Sequence, residues 1–170
     1  MKQYPSAAAY NNERASVVTI GTFDGVHIGH KAILKRLVAT AKKDDLDAVV
    51  LTFFPHPRMV LQQDSDIKLL NTIHERTELL ENTGLDHLVI HPFTHAFSRL
   101  TALEYVRDIL VNSLNAKKII IGYDHRFGNN RSANITDLKL FAKRFNFKVE
   151  EISAQDIKAV TVSSTKIRIA

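Results

Sequence analysis

Two histidines and three glycines stand close together in the stretch GTFDGVHIGH, residues 21–30. The stretch follows the apolar run SVVTI and precedes KAILKRLVATAKK, so it joins a predicted strand to a predicted helix. Glycines at such a turn let a ligand approach the backbone, and a helix N-terminus attracts phosphate. His27 and His30 are three residues apart and share one face of the first helical turn. We therefore favour a phosphate site over a capped turn with solvent-facing histidines, and over an incomplete zinc site.

Polar loops follow two other predicted strands. The segment TFFPHP holds His56 between two prolines, and on physical grounds a binding loop and a rigid turn with core phenylalanines are equally good interpretations. The loop Gly122–Arg131 contains Asp124, Arg126 and Arg131. Arginines there can fork onto phosphate oxygens, and a carboxylate or amide can read the edge of a ring. A loop this polar directly after a buried strand is more often functional than merely solvated.

A run of hydroxyl side chains stands near the end of the chain, in VSSTKIR, residues 162–168. Ser163, Ser164 and Thr165 precede a predicted short helix and Arg168 lies within it, which is more than a simple N-cap requires. The four segments together indicate a pocket rich in anion donors but without an obvious nucleophile. Nucleotidyl transfer needs such a pocket, because a phosphate oxygen can attack without a strong base and Mg²⁺ normally bridges the phosphates. The Walker motif is missing, which excludes a P-loop enzyme.

The elements that must position these loops alternate between strand and helix patterns. Apolar, β-branched runs predict five strands, at Ser16–Ile20, Ala48–Phe53, His87–His91, Lys118–Ile121 and Phe147–Ile152. Helices are predicted over residues 28–42, after Thr72 and Thr101 with capping-box glutamates, and after Asn134. The alternation predicts an α/β fold, a doubly wound, Rossmann-like parallel sheet of about five strands with flanking helices. Such a sheet binds ligands at the carboxyl ends of its strands.

Composition limits the class of protein. The chain has 170 residues, 45% of them hydrophobic and 24% charged, which suits one domain over residues 16–170 after a flexible segment at 1–15. No cysteine is present, which excludes disulfides and thiol nucleophiles. The sequence shows neither the apolar segment of a secretory signal nor an apolar run long enough for a membrane helix, so we expect a cytoplasmic protein. The formal charge of +5 suits an anionic partner, and its scattered distribution disfavours nucleic acid.

The motifs resemble those of a known family. GTFDGVHIGH resembles the His-x-Gly-His signature of the nucleotidylyltransferase superfamily, and VSSTKIR resembles its second signature. With TFFPHP and GYDHRFGNNR between them, the set is similar to the FMN adenylyltransferase (FAD synthetase) module of prokaryotic bifunctional riboflavin kinase/FMN adenylyltransferases. The resemblance covers Val17 to Arg168 and implies that ATP and FMN give FAD and pyrophosphate with Mg²⁺. Ala133 stands where the family commonly has glycine, and the riboflavin kinase domain usually fused to the module is expected to be absent.

The resemblance also implies roles for individual residues and leaves the metal ligands unknown. It assigns catalysis to His27, His30, Asp124 and Arg168. It assigns nucleotide binding to Gly21, Phe23, Gly29, Ser163, Ser164 and Thr165. It assigns the flavin side to His56, Arg126 and Arg131. Two alternatives stay open: a nucleotidylyltransferase that acts on pantetheine phosphate, nicotinate mononucleotide or a polyol phosphate, and a non-catalytic flavin or nucleotide sensor.

Overall fold

The computed structural model describes residues 1–23, 28–61, 73–122 and 125–153. The strands in these ranges are β1 Lys2–Tyr4, β2 Ser16–Ile20, β3 Asp47–Phe54, β4 His87–Pro92, β5 Ala116–Gly122 and β6 Lys148–Ile152. They form one parallel sheet in the order β1-β4-β3-β2-β5-β6. The predicted α/β class with a parallel sheet is confirmed. The five predicted strands are all present, and β2 has the predicted bounds.

Helices connect the strands and cover both faces of the sheet. Their bounds are α1 Ile28–Asp44, α2 Pro57–Leu61, α3 Ile73–Glu81, α4 His95–Ser98, α5 Ala102–Glu104 and α6 Ile135–Phe145. The helix begun by α5 continues as a π-helix over Tyr105–Ser113, and Asn129–Arg131 form a short 3-10 turn. Reciprocal capping bonds start α5 at Thr101 and α6 at Asn134, as the sequence predicts. The cap predicted at Thr72 lies outside the described residues.

The first fifteen residues differ from the flexible segment that we expected. Lys2–Tyr4 form an edge strand that pairs with β4, and the following turn buries Ala7 and Tyr10 in the core. The rings of Tyr4 and Tyr10 meet edge to face with centroids 5.0 Å apart, and burial raises the pKa of Tyr10 to about 12. Burial of aromatic rings stabilises a segment that is too short and too polar to show a strand period.

A polar cluster at the amino ends of the strands also ties this segment to the sheet. Asp47 accepts hydrogen bonds from His87 Nε2 at 2.9 Å, Asn12 Nδ2 at 2.8 Å and Arg14 Nε at 2.8 Å. Tyr4 Oη lies 3.2 Å from the other ring nitrogen of His87. Burial of the Asp47 carboxyl acts to raise its pKa, but these hydrogen bonds outweigh burial and hold the pKa below its ordinary value.

The core lies on both faces of the sheet, because successive strand residues point to opposite sides. On one face Val17 packs with α1 and α3, and on the other Val18 packs with the π-helix and α6. The helix predicted over residues 28–42 is confirmed as α1, and it turns an apolar face to the sheet. Leu34 and Leu37 are fully buried there.

Strand β2 lies at the centre of the sheet, where the order of strands reverses. The chain runs from β2 outward to β3 and β4 on one side, and returns to β5 and β6 on the other. Loops that leave β2 and β5 at this reversal open a crevice at their carboxyl ends. The segment GTFDGVHIGH follows β2 and the loop with Arg126 and Arg131 follows β5, and these two strands are neighbours in the sheet.

Candidate functional site

The predicted site residues fall into two groups. Those within the described ranges are Gly21, Phe23, Gly29, His30, His56, Arg126 and Arg131. Those outside the described ranges are His27, Asp124, Ser163, Ser164, Thr165 and Arg168. The first group follows the carboxyl ends of three adjacent strands, β3, β2 and β5, or begins the helix α1. The sheet therefore gathers the described candidates at one edge.

The turn after β2 is built around the ring of Phe23. Phe23 has a φ of 52°, a left-handed backbone that is uncommon for a residue with a side chain, and it is 1% exposed. Its ring meets the imidazole of His30 with centroids 4.8 Å apart. A Cβ on Gly21 would lie 3.0 Å from Phe23 Cε2, so Gly21 leaves room for this ring. Phe23 thus packs in the core and supports His30 from behind.

A buried arginine that the sequence analysis did not select also contacts this turn. Arg76 of α3 is 2% exposed, and its Nη1 donates to the carbonyl oxygen of Thr22 and, at 3.4 Å, to Thr52 Oγ1. Thr52 Oγ1 itself donates to the same Thr22 carbonyl at 3.2 Å. A buried guanidinium is costly unless it is hydrogen-bonded, so these contacts are specific. The available signal was the position of Arg76 beside Thr77 and near Leu80, on the buried face of α3.

The structure places one of the two phenylalanines of TFFPHP in the core, and the binding role of this segment stays a prediction. Phe53 is buried and packs against Phe93 and Phe97, with centroids 5.7 and 5.4 Å apart, whereas Phe54 is 46% exposed. The Phe54–Pro55 peptide is cis. His56 is half-buried, and its carbonyl accepts from Met59 N at 2.9 Å as α2 begins. One phenylalanine therefore belongs to the core and the other to the surface of this edge.

The loop after β5 is a short antiparallel bridge with exposed cations. Phe127 and Ala133 exchange two backbone hydrogen bonds of 3.1 Å, and Arg126 and Arg131 are exposed. The ring of His125 stacks on Phe127 at 6.1 Å. Ala133 is buried and is not among the described residues of positive φ, so alanine fits there without backbone strain.

A neutral histidine lies at the end of β4. His91 Nδ1 accepts a hydrogen bond from Ala7 N at 2.9 Å, and its ring meets Phe97 at 4.7 Å. Burial lowers the pKa of His91, because the charged imidazolium loses its hydration. His91 thereby links the N-terminal segment to the edge of the sheet that carries the site.

The charge at this edge suits an anion. Its described titratable side chains include three imidazoles and two guanidiniums, at His30, His56, His125, Arg126 and Arg131. Within the described ranges, no group of three or more histidine or carboxylate side chains could hold a metal ion. The described helices also include none that is long and apolar enough to cross a membrane. Phosphate oxygens are the ligands that such a donor set can bind.

Comparison with protein families and sequences places these features in a known group. The family model described as FAD synthetase matches residues 9–166. A bifunctional riboflavin kinase/FMN adenylyltransferase of Buchnera aphidicola from Schizaphis graminum is 40% identical over 154 residues, 90% of this chain and 49% of the relative. A FAD synthetase of Listeria monocytogenes is 33% identical over 162 residues, 95% of this chain and 65% of the relative. The chain thus spans about half the length of its bifunctional relatives.

Solved structures agree on the fold. A Streptococcus pneumoniae crystal structure described as a macrolide-efflux protein superimposes with a TM-score of 0.78 and 28% identity, covering 89% of this chain and 50% of that one. Pantothenate synthetase from Thermus thermophilus shares the fold alone, with a TM-score of 0.51, 17% identity, and coverage of 90% and 62%. The family match, the sequence identity and the parallel sheet agree, and the chain belongs to the FAD synthetase family.

Proposed function

We propose that this chain transfers AMP from ATP to the phosphate of FMN, giving FAD and pyrophosphate. The observation that carries the proposal is the FAD synthetase match over residues 9–166, which includes the loops after β2, β3 and β5. The geometry supports it, because these three loops meet at the carboxyl edge of the sheet. Such a pocket holds two anionic substrates side by side, which is what the reaction requires.

The reaction joins two phosphates and needs little acid–base help. A phosphate oxygen of FMN attacks the α-phosphorus of ATP, a new P–O bond forms, and the bond from the α-phosphorus to the bridging oxygen of the β-phosphate breaks. The electron pair leaves with pyrophosphate. Charge therefore develops on the transferring phosphoryl oxygens and on the leaving group, and fixed hydrogen-bond donors that face them lower the barrier.

His27, His30 and the backbone N–H groups at the start of α1 are our proposed donors to the ATP phosphates. The support for His30 is its half-buried position on the first turn of α1, where its ring is backed by Phe23. A donor that cannot swing away loses less entropy when it binds the transition state. Gly21 and Gly29 themselves add no side chain that would obstruct the phosphates. Ser163, Ser164, Thr165 and Arg168 are proposed to bind the triphosphate from the other side.

The flavin nucleotide would occupy the side of the crevice nearest the loops after β3 and β5. His56, Arg126 and Arg131 are proposed to bind its phosphate and ring, with Asp124 beside the reacting groups. The support is the exposure of both arginines and of Phe54 at this edge. Mg²⁺ would arrive as part of the ATP substrate, held by phosphate oxygens and water.

The direct test is product formation by the purified chain. FMN, ATP and Mg²⁺ are supplied, and FAD and pyrophosphate are measured together. We expect equal amounts of both products from FMN and none from riboflavin, which lacks the attacking phosphate. Pyrophosphate released with pantetheine phosphate or nicotinate mononucleotide instead would assign a different acceptor. Binding of FMN and ATP without any product would indicate a sensor.

The role of His30 is tested in the same assay. His30→Ala should lower kcat by about 100-fold while ATP affinity changes much less, because donors to developing charge act mainly in the transition state. His74→Ala is the matched control, since that side chain is 81% exposed and pairs with Glu78 on its own helix. Equal losses of kcat and ATP affinity in His30→Ala would contradict a transition-state role.

A further inference from the structure

Among the residues that the structure describes, Arg76 is the largest side chain that is buried almost completely, and neither the motifs nor the proposed chemistry assigns it a role. It lies on α3, well outside the segments GTFDGVHIGH and TFFPHP. A buried guanidinium is costly to desolvate, and replacement by an apolar side chain of similar volume is often neutral or stabilising. Two of its hydrogen-bond partners, both within the described residues, indicate what the charge does in this position.

Both partners belong to strand ends at the proposed site. The Thr22 carbonyl, which accepts from Arg76, lies in the turn directly after β2, and Thr52 lies near the carboxyl end of β3. Thr52 also donates to the Thr22 carbonyl, so one backbone oxygen accepts from two side chains of different elements. The peptide that begins the turn after β2 is therefore held by hydrogen bonds from both α3 and β3.

Phe23, the residue after Thr22, connects these hydrogen bonds to His30, the proposed catalytic histidine. Thr22 is followed by Phe23, whose backbone has a φ of 52° and whose buried ring contacts the imidazole of His30. A left-handed backbone at a bulky residue is unfavourable and persists only where surrounding contacts impose it. The hydrogen bonds at Thr22 are immediately adjacent contacts of this kind.

We propose that Arg76 is a positioning residue for this turn: by holding the Thr22 carbonyl it fixes the backbone of Phe23 and, through the Phe23 ring, the direction of the His30 imidazole. The proposal rests on the proposed function only in that His30 then acts on ATP. Arg76 itself touches no reacting atom. Loss of Arg76 therefore acts on the transition state more than on ATP binding.

The test compares three substitutions. Arg76→Met removes the charge and the hydrogen bonds to Thr22 and Thr52, and Arg76→Lys keeps the charge and a donor. Thr52→Val removes the hydroxyl that donates to Thr22 and accepts from Arg76, while the guanidinium itself stays in place. Thr77→Val is the matched control, because the Thr77 hydroxyl is buried on the same helix and bonds to Ile73 O at 2.8 Å within that helix.

Three quantities are measured for each variant: kcat with the KM for ATP, the melting temperature, and the side-chain NMR signals of His30, assigned with His30→Ala. Loss of groups that orient a catalytic side chain typically costs about 10- to 100-fold. We expect a fall of that size in kcat for Arg76→Met, with the KM for ATP within about threefold, partial recovery in Arg76→Lys and a smaller fall in Thr52→Val. The His30 signals should shift in Arg76→Met and in Thr52→Val, and they should stay in place in Thr77→Val.

Two results would overturn the proposal. One is an Arg76→Met chain that loses stability while its kcat and its His30 signals stay unchanged, which would assign Arg76 to folding alone. The other result is a kcat and His30 signals that stay unchanged in both Thr52→Val and Arg76→Lys. This second result decides the question if Arg76→Met does not fold. If the wild-type chain makes no FAD, the proposed function fails, and the His30 signals by themselves then decide whether Arg76 positions the imidazole.

Discussion

Gly21→Ala should disturb the proposed site through packing alone, without removing any functional group. The backbone of Gly21 is not left-handed, so alanine brings no conformational penalty there. The added methyl group would instead meet three atoms of the Phe23 ring, Cε2 at 3.0 Å and Cδ2 and Cζ at 3.4 Å. The substitution therefore tests whether the ring of Phe23 holds His30 in place.

The magnitude follows from these distances. Non-bonded carbon atoms prefer separations of about 3.5–4.0 Å, so the ring must withdraw by about 0.5 Å. It has little room to do so, because it is 1% exposed and packs in the core cluster with Leu34 and Leu37. Overpacking of this kind costs about 1–3 kcal/mol. The ring also contacts His30, and since a misplacement of about 1 Å can cost 100-fold, we expect kcat to fall about tenfold.

The assay is a double-mutant cycle with Phe23→Leu, which removes the ring atoms that the new methyl group would meet. Free energies of unfolding from denaturant titration and kcat for FAD formation are measured for both single variants and for the double variant. The cost of Gly21→Ala in the free energy of unfolding should be smaller by about 1 kcal/mol when leucine occupies position 23. An alanine variant as stable and as active as the wild-type chain would refute the reasoning, and so would strictly additive costs.

Further expectations concern pH and the loop after β5. The pKa of His91 is lower in the folded chain than in the unfolded chain. The unfolded chain therefore binds a proton at this side chain more readily, and the free energy of unfolding decreases as the pH drops below about 6.5. His91→Asn, which keeps an acceptor for Ala7 N, should flatten urea stability between pH 7.5 and 5.5. The folded pKa of Asp47 is also lowered, so its stabilisation is present at neutral pH and is lost as the pH falls through that folded pKa. Asp47→Asn should be less stable than the wild-type chain at pH 7, and the difference should shrink under acid; an unchanged midpoint at pH 7 would show that the bond to His87 contributes nothing. Ala133→Gly should lower the free energy of unfolding by about 0.5–1 kcal/mol and leave FAD formation unchanged, because alanine already fits its backbone; a gain in rate would mean that the loop needs glycine.

The elements that the sequence predicts are those whose signals are local. The apolar run of β2 is buried on both faces, and the capping boxes at Thr101 and Asn134 involve residues three apart, so each is visible within a short window. The placement of polar loops at one edge then follows from the rule that parallel strands end on the same side. The segment after β2 and the loop after β5 are therefore expected at the same edge of the sheet from the sequence alone, and the adjacent parallel strands β2 and β5 agree with this.

The same logic explains what the sequence did not reveal. Strand β1 has three residues and no periodicity, and its partner β4 lies more than eighty residues away along the chain. Its pairing is decided by the open edge of the sheet and by burial of Tyr10, both of which exist only in the folded chain. Local patterns cannot report an interaction whose partner is that distant.

The sequence by itself determined the alternation of strands and helices, the position of the glycine- and histidine-rich turn after β2 and the resemblance to FAD synthetases, because each depends on residue types at short spacing. Only the tertiary structure decided that the buried ring of Phe23 contacts His30 and that Arg76 donates to the carbonyl oxygen of Thr22. From sequence alone, an arginine in a helix is expected to be exposed to solvent. Only packing can place carbonyl and hydroxyl acceptors around a buried one. The physical reason is that burial and hydrogen bonding depend on neighbours in space, and those neighbours come from strands that are distant in the chain.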